Sequence, residues 1–584
     1  MSEHLIVVAI DFGTTYSGYA FQFRHEYKDE DPTTICAPQS WSDGKGRVSS
    51  MKTPTCLLLD NDGNIDSFGF EAERKYSEIC EDHEENNWFY FRRFKMRLHN
   101  AQDMSLRTLI KGENKRELPA LEIFSKSIQC LKQKLIEDLN RKAELLKPED
   151  IFYVLTVPAI WNDNAKTFMR QAAVKAGIQS SQLAVSLEPE CASLYSQYLP
   201  LTRFSSKDGA VQCSITRPGT VYMIVDLGGG TADITVHEKL EGGRLREVHQ
   251  ATGGPWGGAM VDAKFIAMMG NIVNALVFSE FMNNNSGDYL DMMRDFETLK
   301  RKVCMALDMP LTLKIPVTLN EMCRNMRNQS FRECCEQSTE AGHVTSKMDK
   351  LKISADRAKQ LFQDVADKLV PTLDECIKTV GSRKSDTSKI SLILMVGGFS
   401  ESKYMQEVVQ QRYDGRDGLR VLIPEEAGLS VLKGAVIFGR KPESITSRVL
   451  RYTYGAEVTP PFDPKIHDEI KRTKDGKRCN NVFKPFMERG KEMQQGHKLE
   501  TIYHTTAPHQ KTIKLRIFAA EKEVKYTTDE GCTFVGTMTM TLNTPRAELQ
   551  DLAVTYIFGG TEIKVIGEEV LTKYQCETVI AMNE

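Results

Sequence analysis

No stretch of this sequence approaches the ~18 consecutive apolar residues that a membrane-spanning helix needs. The apolar run near the N-terminus, Leu5 to Ile10, is shorter than a secretory signal core and lacks a basic flank, so it reads as a buried strand. Charge of one sign is not in excess either. Seventy-six Lys and Arg face 79 Asp and Glu, a net charge of −3, which gives no electrostatic footprint for nucleic acid. The 14 cysteines contain no C-x-x-C pair; Cys334 and Cys335 are adjacent and the others are scattered. With no signal segment, the expectation is reduced thiols and a cytoplasmic protein, the nucleus not being separable from it. There is no G-x-x-x-x-G-K-[ST] loop, and no G-x-G-x-x-G follows a first strand, so neither a P-loop nor a dinucleotide fold is indicated.

What is present is a duplication. Val7 to Phe21 reads Val-Val-Ala-Ile-Asp-Phe-Gly-Thr-Thr-Tyr-Ser-Gly-Tyr-Ala-Phe, and Tyr222 to Val236 reads Tyr-Met-Ile-Val-Asp-Leu-Gly-Gly-Gly-Thr-Ala-Asp-Ile-Thr-Val. Each is an apolar strand ending in Asp, a Gly/Thr turn, and a second strand, which is a hairpin pattern. The copies lie much further apart than the roughly 20–50-residue period of a solenoid, so they mark two lobes. Buried parallel-type strands are expected at Ile151–Val157 and Ile390–Val396. Asn162 or Asp163 caps a helix running through Phe168, Ala172 and Ala176 to Gly177, and another helix follows Gly397-Gly398 near Tyr404 to Tyr413. Leu361, Phe362, Val365 and Leu369 mark a further helix, expected to close at Pro371. The stretch 324–350 is polar and reads as a mobile insertion. From about 445 the texture changes to short alternating strands, with a hairpin turn at Gly559-Gly560 and an exposed, Lys-rich loop from Asp463 to Arg478. The expected fold class is α/β: a first lobe over 1–205 (outer part 34–118), a second over 206–444 (outer part 256–354), and a β-rich region over 445–584.

The chemistry lies in the two turns. A polyphosphate needs backbone N–H donors at close range, and glycine leaves them uncovered. Gly13, Thr14, Thr15 and Tyr16 offer such a cradle in the first lobe, and Gly228, Gly229, Gly230 and Thr231 in the second. The strand-end carboxylates Asp11 and Asp226 repel phosphate but suit the water shell of a Mg²⁺ that bridges phosphate groups. One Asp-Gly turn is weak evidence; two matched ones at the heads of two similar segments are strong.

These turns resemble the phosphate motifs of the actin-like ATPase superfamily. The flanking residues narrow the resemblance to the seventy-kilodalton heat-shock chaperones: Thr156 to Asp163, Leu187 to Ala192, Ala251 to Gly258, Val396 to Glu401 and Pro424 to Ala427 are similar to that family's motifs, over nearly all of 5–440. Trp88 to Met96 and the Gly-Gly-Phe-Ser-Glu-Ser variant at 397–402 resemble its divergent 12A/12B subgroup. The resemblance implies ATP or ADP with Mg²⁺ as ligands. It makes Asp11 and Asp226 the metal and water-orienting residues, sets Glu188 near the attacking water or the metal shell, and puts Thr231 at the γ-phosphate. It implies Glu297 on ribose, Lys300 and Arg301 along the base, Gly397 and Gly398 beneath the adenosine, and Pro158 as a pivot. On the residues alone, Lys300 and Arg301 read as a solvated helix face. The family's catalytic Lys falls on Arg92 or Arg93, Phe399 and Glu401 replace a Ser and a base-stacking Arg, and Glu425 replaces an Asp.

The C-terminal strands faintly resemble the family's peptide-binding β-sandwich, with no recognisable acidic linker at Arg448–Tyr454 and no helical lid before Glu584. The expected function is an ATP-binding chaperone with slow hydrolysis, a weak ATPase, carrying client or signalling proteins on the β region; co-chaperone docking is left open. The alternative is a nucleotide-gated scaffold with little or no turnover. A sugar kinase on the same fold is disfavoured, because no catalytic Asp for a sugar hydroxyl is identifiable.

Overall fold

The computed structural model describes residues 4–38, 41–42, 49–99, 107–142, 146–205, 217–382, 389–542 and 545–579. The expected boundary at 205/206 abuts 206–216, which lies outside the described residues. The first sheet contains β1 (Ile6–Phe12), β2 (Tyr16–Phe23), β3 (Thr53–Pro54), β4 (Ile151–Val157) and β5 (Leu183–Leu187), in the order β5-β4-β1-β2-β3. β5, β4 and β1 run parallel and β1–β2 is an antiparallel hairpin. The second sheet is built on β6 (Val221–Leu227), β7 (Ala232–Lys239), β8 (Leu245–Gly254), β9 (Ile390–Val396) and β10 (Arg420–Pro424). Here β10, β9 and β6 run parallel and β6–β7 is the hairpin, the same succession as in the first sheet. Every residue of β1 and β6 is buried, as their unbroken apolar runs require.

Six helices position the cleft: α1 (Asp163–Lys175), α2 (Glu188–Ser196), α3 (Gly258–Val273), α4 (Ser286–Lys300), α5 (Ala355–Gly381) and α6 (Ser430–Arg440). Asn162 caps α1, its side chain accepting from Ala165 N at 2.9 Å. α2 and α6 lie between the two sheets. Their core joins Val7, Ala9 and Val154 of the first sheet to Tyr222, Ile224 and Leu394 of the second. The helices cross so closely that a β-carbon on Gly434 would stand 1.6 Å from the Cys191 carbonyl oxygen.

Two expectations are corrected. α5 does not close at Pro371 but runs through it. Pro371 is on the exposed face, while Leu361, Phe362, Val365, Leu369, Leu373, Cys376 and Val380 continue one buried stripe past it. That burial outweighs the ~3 kcal/mol an interior proline costs a helix. The stretch 324–350 is not an irregular insertion: a helix Phe331–Gln337 and a strand Val344–Lys347 fall within it, and Phe331, Cys334, Cys335 and Val344 enter the main core.

Beyond 445 the described residues form strands, short turns and loops. β11 (Ile445–Val449) does not leave the second sheet; it pairs with β8, and β14 (Glu492–Gln494) pairs with it in turn. The other strands are β12 (Thr453–Val458), β13 (Val482–Met487), β15 (His497–His504), β16 (Thr512–Ala520), β17 (Cys532–Thr541), β18 (Asp551–Phe558), β19 (Lys564–Glu569) and β20 (Gln575–Val579). They form two four-stranded sheets, β13-β12-β16-β17 and β15-β18-β19-β20, that share one core through Tyr454, Ile517, Met538, Leu552 and Tyr556. This pair sits against α1. Tyr454 Oη donates to Asp163 at 2.7 Å, Asn164 Nδ2 to the Phe534 carbonyl at 2.8 Å, and Arg170 forks onto Glu562 at 2.7 and 2.6 Å.

The crossing of α2 and α6 gives a test. Gly434→Val is expected to destabilise the protein by about 3 kcal/mol or more in thermal or denaturant melts, because the added carbons meet rigid backbone. Gly381→Ala, where nothing lies within 4 Å of the new carbon, is expected to stay within about 0.5 kcal/mol of wild type.

Candidate functional site

The turn after β1 and the turn after β6 meet face to face. A β-carbon on Gly229 would stand 2.1 Å from Thr15 Oγ1, and one on Gly230 would stand 2.6 Å from Thr14 Oγ1. Glycine is required here for approach rather than for an unusual φ. The carbonyls of Gly228, Gly229 and Gly230 accept from Gly258 N, Ala259 N and Gly257 N at 3.1, 2.7 and 3.1 Å, so the start of α3 consumes them. Among the described residues the N–H groups of Thr14, Thr15, Gly229 and Gly230 make no hydrogen bond, which leaves four donors at the seam.

Beneath the turns lie four carboxyls, three of them buried (Asp11, Asp226 and Asp233) and Glu188 partly so. Asp11 accepts from Thr156 Oγ1 at 2.8 Å and from Lys52 Nζ at 2.6 Å. Burial raises its pKa, but Lys52, Lys95 and Thr156 together outweigh that and hold it below its ordinary value. Asp226 has the opposite fate. Burial, then the charges of Glu188, Asp233 and Asp11, push it well above the usual range, and its Oδ2 has no partner. Asp233 faces Asp226 across the β6–β7 hairpin and accepts from Ile160 N at 2.9 Å, just after Pro158. Glu188, at the start of α2, is raised to about 7 by burial, against the pull of Lys95.

Lys95 is the cation that the sequence reading missed. It is 2% exposed, donates to Glu188 Oε1 at 2.9 Å, and lies 5.0 Å above the Trp161 ring. Arg92 is placed elsewhere: its Nε is 3.5 Å from Glu113 and its guanidinium sits over Tyr289. Arg93 adopts a left-handed turn, φ 54°, and reaches Asp262 at 2.6 Å. That turn swings the chain, so the next cation along, Lys95, enters the cleft. Lys52 and Asp233 are also additions; Asp233 was visible as the second acid of the second motif, whereas nothing in sequence marks Lys52.

Glu297, Lys300 and Arg301 are brought together at the end of α4. Lys300 Nζ lies 2.8 Å from Asp262 and 2.6 Å from Glu297, and Arg301 Nε lies 3.0 Å from Glu297. Lys300 is therefore buried in a network rather than solvated. The Glu297 charge also helps raise Tyr16 to about 12, after burial, so the first turn and α4 share one cleft. Gly397, at φ 87°, comes so close to Asp226 that a β-carbon there would stand 2.2 Å from Oδ1; Gly398 faces open space. Glu401 is exposed and its charge acts on Arg301. Glu425 is exposed at the end of β10, and no hydrogen bond or ion pair among the described residues joins it to the carboxyl cluster.

Glu190, two residues beyond Glu188 and so about 200° around α2, points the other way. Arg448 forks onto it at 2.6 and 2.7 Å and also donates to the Gly559 carbonyl, so the segment expected as a diverged linker is gripped at its first residue. Glu247 accepts from Val449 N at 2.8 Å nearby, and burial pushes it up to about 8.

Two facing phosphate-type turns over a carboxyl floor, each at the head of a mixed sheet, define an ATPase core of the actin-like type. A family model described as "Hsp70 protein" matches residues 74–442, and the chain belongs to the Hsp70 family. Within it the chain falls with the 12A/12B subgroup. It is 32% identical to human "Heat shock 70 kDa protein 12A" and 31% identical to human "Heat shock 70 kDa protein 12B"; each alignment covers 97% of this chain and 90% and 89% of the relative. A "Mitochondrial-type heat shock protein 70" of Encephalitozoon hellem is 25% identical over 52% of this chain and 43% of its own length.

An acid whose pKa is higher folded than unfolded binds more protons when folded, so stability is withdrawn as pH rises between the two values. For Glu247 that window runs from 4.5 to about 8. Denaturant melts across this window are expected to show unfolding free energy falling with pH. Glu247→Gln is expected to remove on the order of 2 kcal/mol of that fall. An unchanged slope would show that Glu247 ionises freely in the folded protein.

Proposed function

We propose that this chain binds Mg-ATP and ADP at the seam of the two turns, hydrolyses ATP slowly, and is coupled to a β region that carries client or signalling proteins. The observation that carries the reading is the set of four unbonded N–H donors directly above buried acids and two lysines. In this reading Thr14, Thr15, Gly229 and Gly230 cradle phosphate, Thr231 reaches the terminal phosphate, and Lys95 faces the charge that develops on it. Glu188, raised to about 7, can exchange a proton with an attacking water near neutrality, and Asp233, whose pKa burial also raises, lies beside it. Glu297, Lys300 and Arg301 border the nucleoside side.

The residues fit a divalent cation. Asp226 carries an orphaned oxygen and a surplus of negative neighbours. No three His, Cys, Asp or Glu side chains among the described residues are arranged to ligate a bare ion, so Asp226 would hold Mg²⁺ through its waters, while an oxygen of Asp11 is taken by the Lys52 ammonium. The bound ion would draw phosphate charge and orient the transferring group. We read the two sheets as duplicated lobes, 1–205 and 206–444. The region 445–584, less β11 and β14, we read as a diverged protein-binding β-sandwich in a cytoplasmic protein.

The second reading, a nucleotide-gated scaffold, no longer rests on an Arg in place of the catalytic Lys, since Lys95 stands beside Glu188. It draws support from Asp11, both of whose oxygens are already bonded within the protein. Calorimetry with ATP and ADP, paired with single-turnover hydrolysis, separates the two. The chaperone-type reading expects binding with slow turnover, reduced at least tenfold in Lys95→Met and Asp226→Asn, about the worth of one charge-assisted contact. Tight binding with equal, negligible turnover in all three proteins selects the scaffold, and no binding of either nucleotide removes both.

A further inference from the structure

The first turn is stitched to an adjoining segment. Thr55 Oγ1 donates to the Gly13 carbonyl at 2.8 Å, Thr55 N to the Thr15 carbonyl at 2.9 Å, and Thr55 Oγ1 meets Ser17 Oγ at 2.7 Å. β3 pairs Pro54 with Tyr16 and Thr53 with Ser17. Lys52 opens this segment, so its backbone is fixed relative to Asp11. Its stem passes Gly18, where a β-carbon would stand 3.0 Å from Lys52 Cγ. The side chain is 16% exposed, and its ammonium is 2.6 Å from Asp11.

The charges of the cleft pair off unevenly. Lys52 is tied to Asp11 and Lys95 to Glu188, while Asp226 and Asp233 have no cation of their own among the described residues. The first sheet's side of the floor is neutralised from within; the second sheet's side is not. A divalent cation shared by Asp11 and Asp226 would therefore have to displace an ammonium at hydrogen-bond distance. An ammonium has three donors, and Lys52 spends one on Asp11.

We propose that Lys52 is a resident phosphate-binding cation that stands in for the divalent ion at Asp11, so that this site holds nucleoside di- and triphosphates with little dependence on Mg²⁺. The inference rests on the nucleotide-binding reading above. Lys52 supplies two remaining N–H donors to phosphate oxygens while Asp11 fixes its position, and a metal, when present, sits on the Asp226 side. The ammonium is a point charge that tolerates phosphates of varying orientation.

The test is calorimetric titration of ADP and ATP into the full chain, with Mg²⁺ and with EDTA, for wild type, Lys52→Met and Lys52→Arg. Wild-type affinity is expected to fall less than about tenfold in EDTA. Lys52→Met is expected to lose at least tenfold in EDTA, the worth of one charge-assisted hydrogen bond, and to recover most of it with Mg²⁺, because the metal then gains Asp11. Lys52→Arg keeps the charge and is expected to bind in EDTA within about tenfold of wild type. Wild-type binding that collapses in EDTA, with Lys52→Met showing the same metal dependence, overturns the inference and leaves the nucleotide reading intact. Failure of wild type to bind in either buffer overturns the nucleotide reading itself. Should Lys52→Met not fold, the wild-type and Lys52→Arg titrations still decide, since a hundredfold loss in EDTA for both contradicts a resident cation.

Discussion

A carboxylate removed from water keeps its charge only where a cation or a set of donors replaces the lost solvation, and the cleft floor holds four of them. Asp11, Glu188, Asp226 and Asp233 come from two sheets and one helix N-terminus, and among the described residues two ammoniums pair with them. Their like-charge repulsion is tolerated because the two hairpins and the α2–α6 crossing hold the backbones rigidly. What remains is a deficit of positive charge located on the second sheet's side, at the unpartnered oxygen of Asp226. The glycines of the turns above answer a different constraint, the close approach of Thr14 and Thr15 from the opposite turn.

The same constraint organises the contact with the C-terminal β sheets. Glu188 and Glu190 lie on one turn of α2 and face opposite ways, one to Lys95 in the cleft and one to Arg448 beneath it. A displacement of α2 along its axis therefore alters two ion pairs at once. Breaking either strands a buried charge, which costs several times what an exposed pair is worth. Asp233 adds a second connection: it holds Ile160 N, and Arg451 donates to the Ile160 carbonyl, so the residues after Pro158 are grasped from the cleft on one side and from the β region on the other. These are two-sided bonds of the kind through which two sites bias one element.

The hairpin turns, the buried strands and the Asn162 cap were legible because each depends on local chemistry: a glycine run, an unbroken apolar stretch, an asparagine one residue before a helix. The helix through Pro371 was not, since a proline is read locally while the stripe from Leu361 to Val380 exerts its effect only against the packed core. The same holds for 324–350, whose polar average conceals Phe331, Cys334 and Val344 at spaced inward positions. Within the site, residues inside the two motifs could be assigned from their types, and Asp233 could have been, being opposite Asp226 in a hairpin. Lys95 could not be separated from Arg92 and Arg93 by composition. Three cations within four residues compete for one place, and a single left-handed residue decides among them.

That last point changes what the divergence of this chain means. If the positive charge opposite the phosphates were a guanidinium, slow or absent hydrolysis would follow from the wrong shape at the transition state. With Lys95 beside Glu188, the asymmetry of the cleft lies instead between the two strand-end carboxylates. Asp11 is bonded on both oxygens and lies below its ordinary pKa, while Asp226 has, among the described residues, an unpartnered Oδ2 and lies well above its own. Two acids that occupy equivalent ends of two similar hairpins are thus driven apart in protonation, and separated pKa values mark separated roles. On the Asp11 side the largest lowering influence is Lys52, a residue outside both motifs, with Lys95 and Thr156 adding to it, so the segment stitched beside the first turn shares in setting the character of the site.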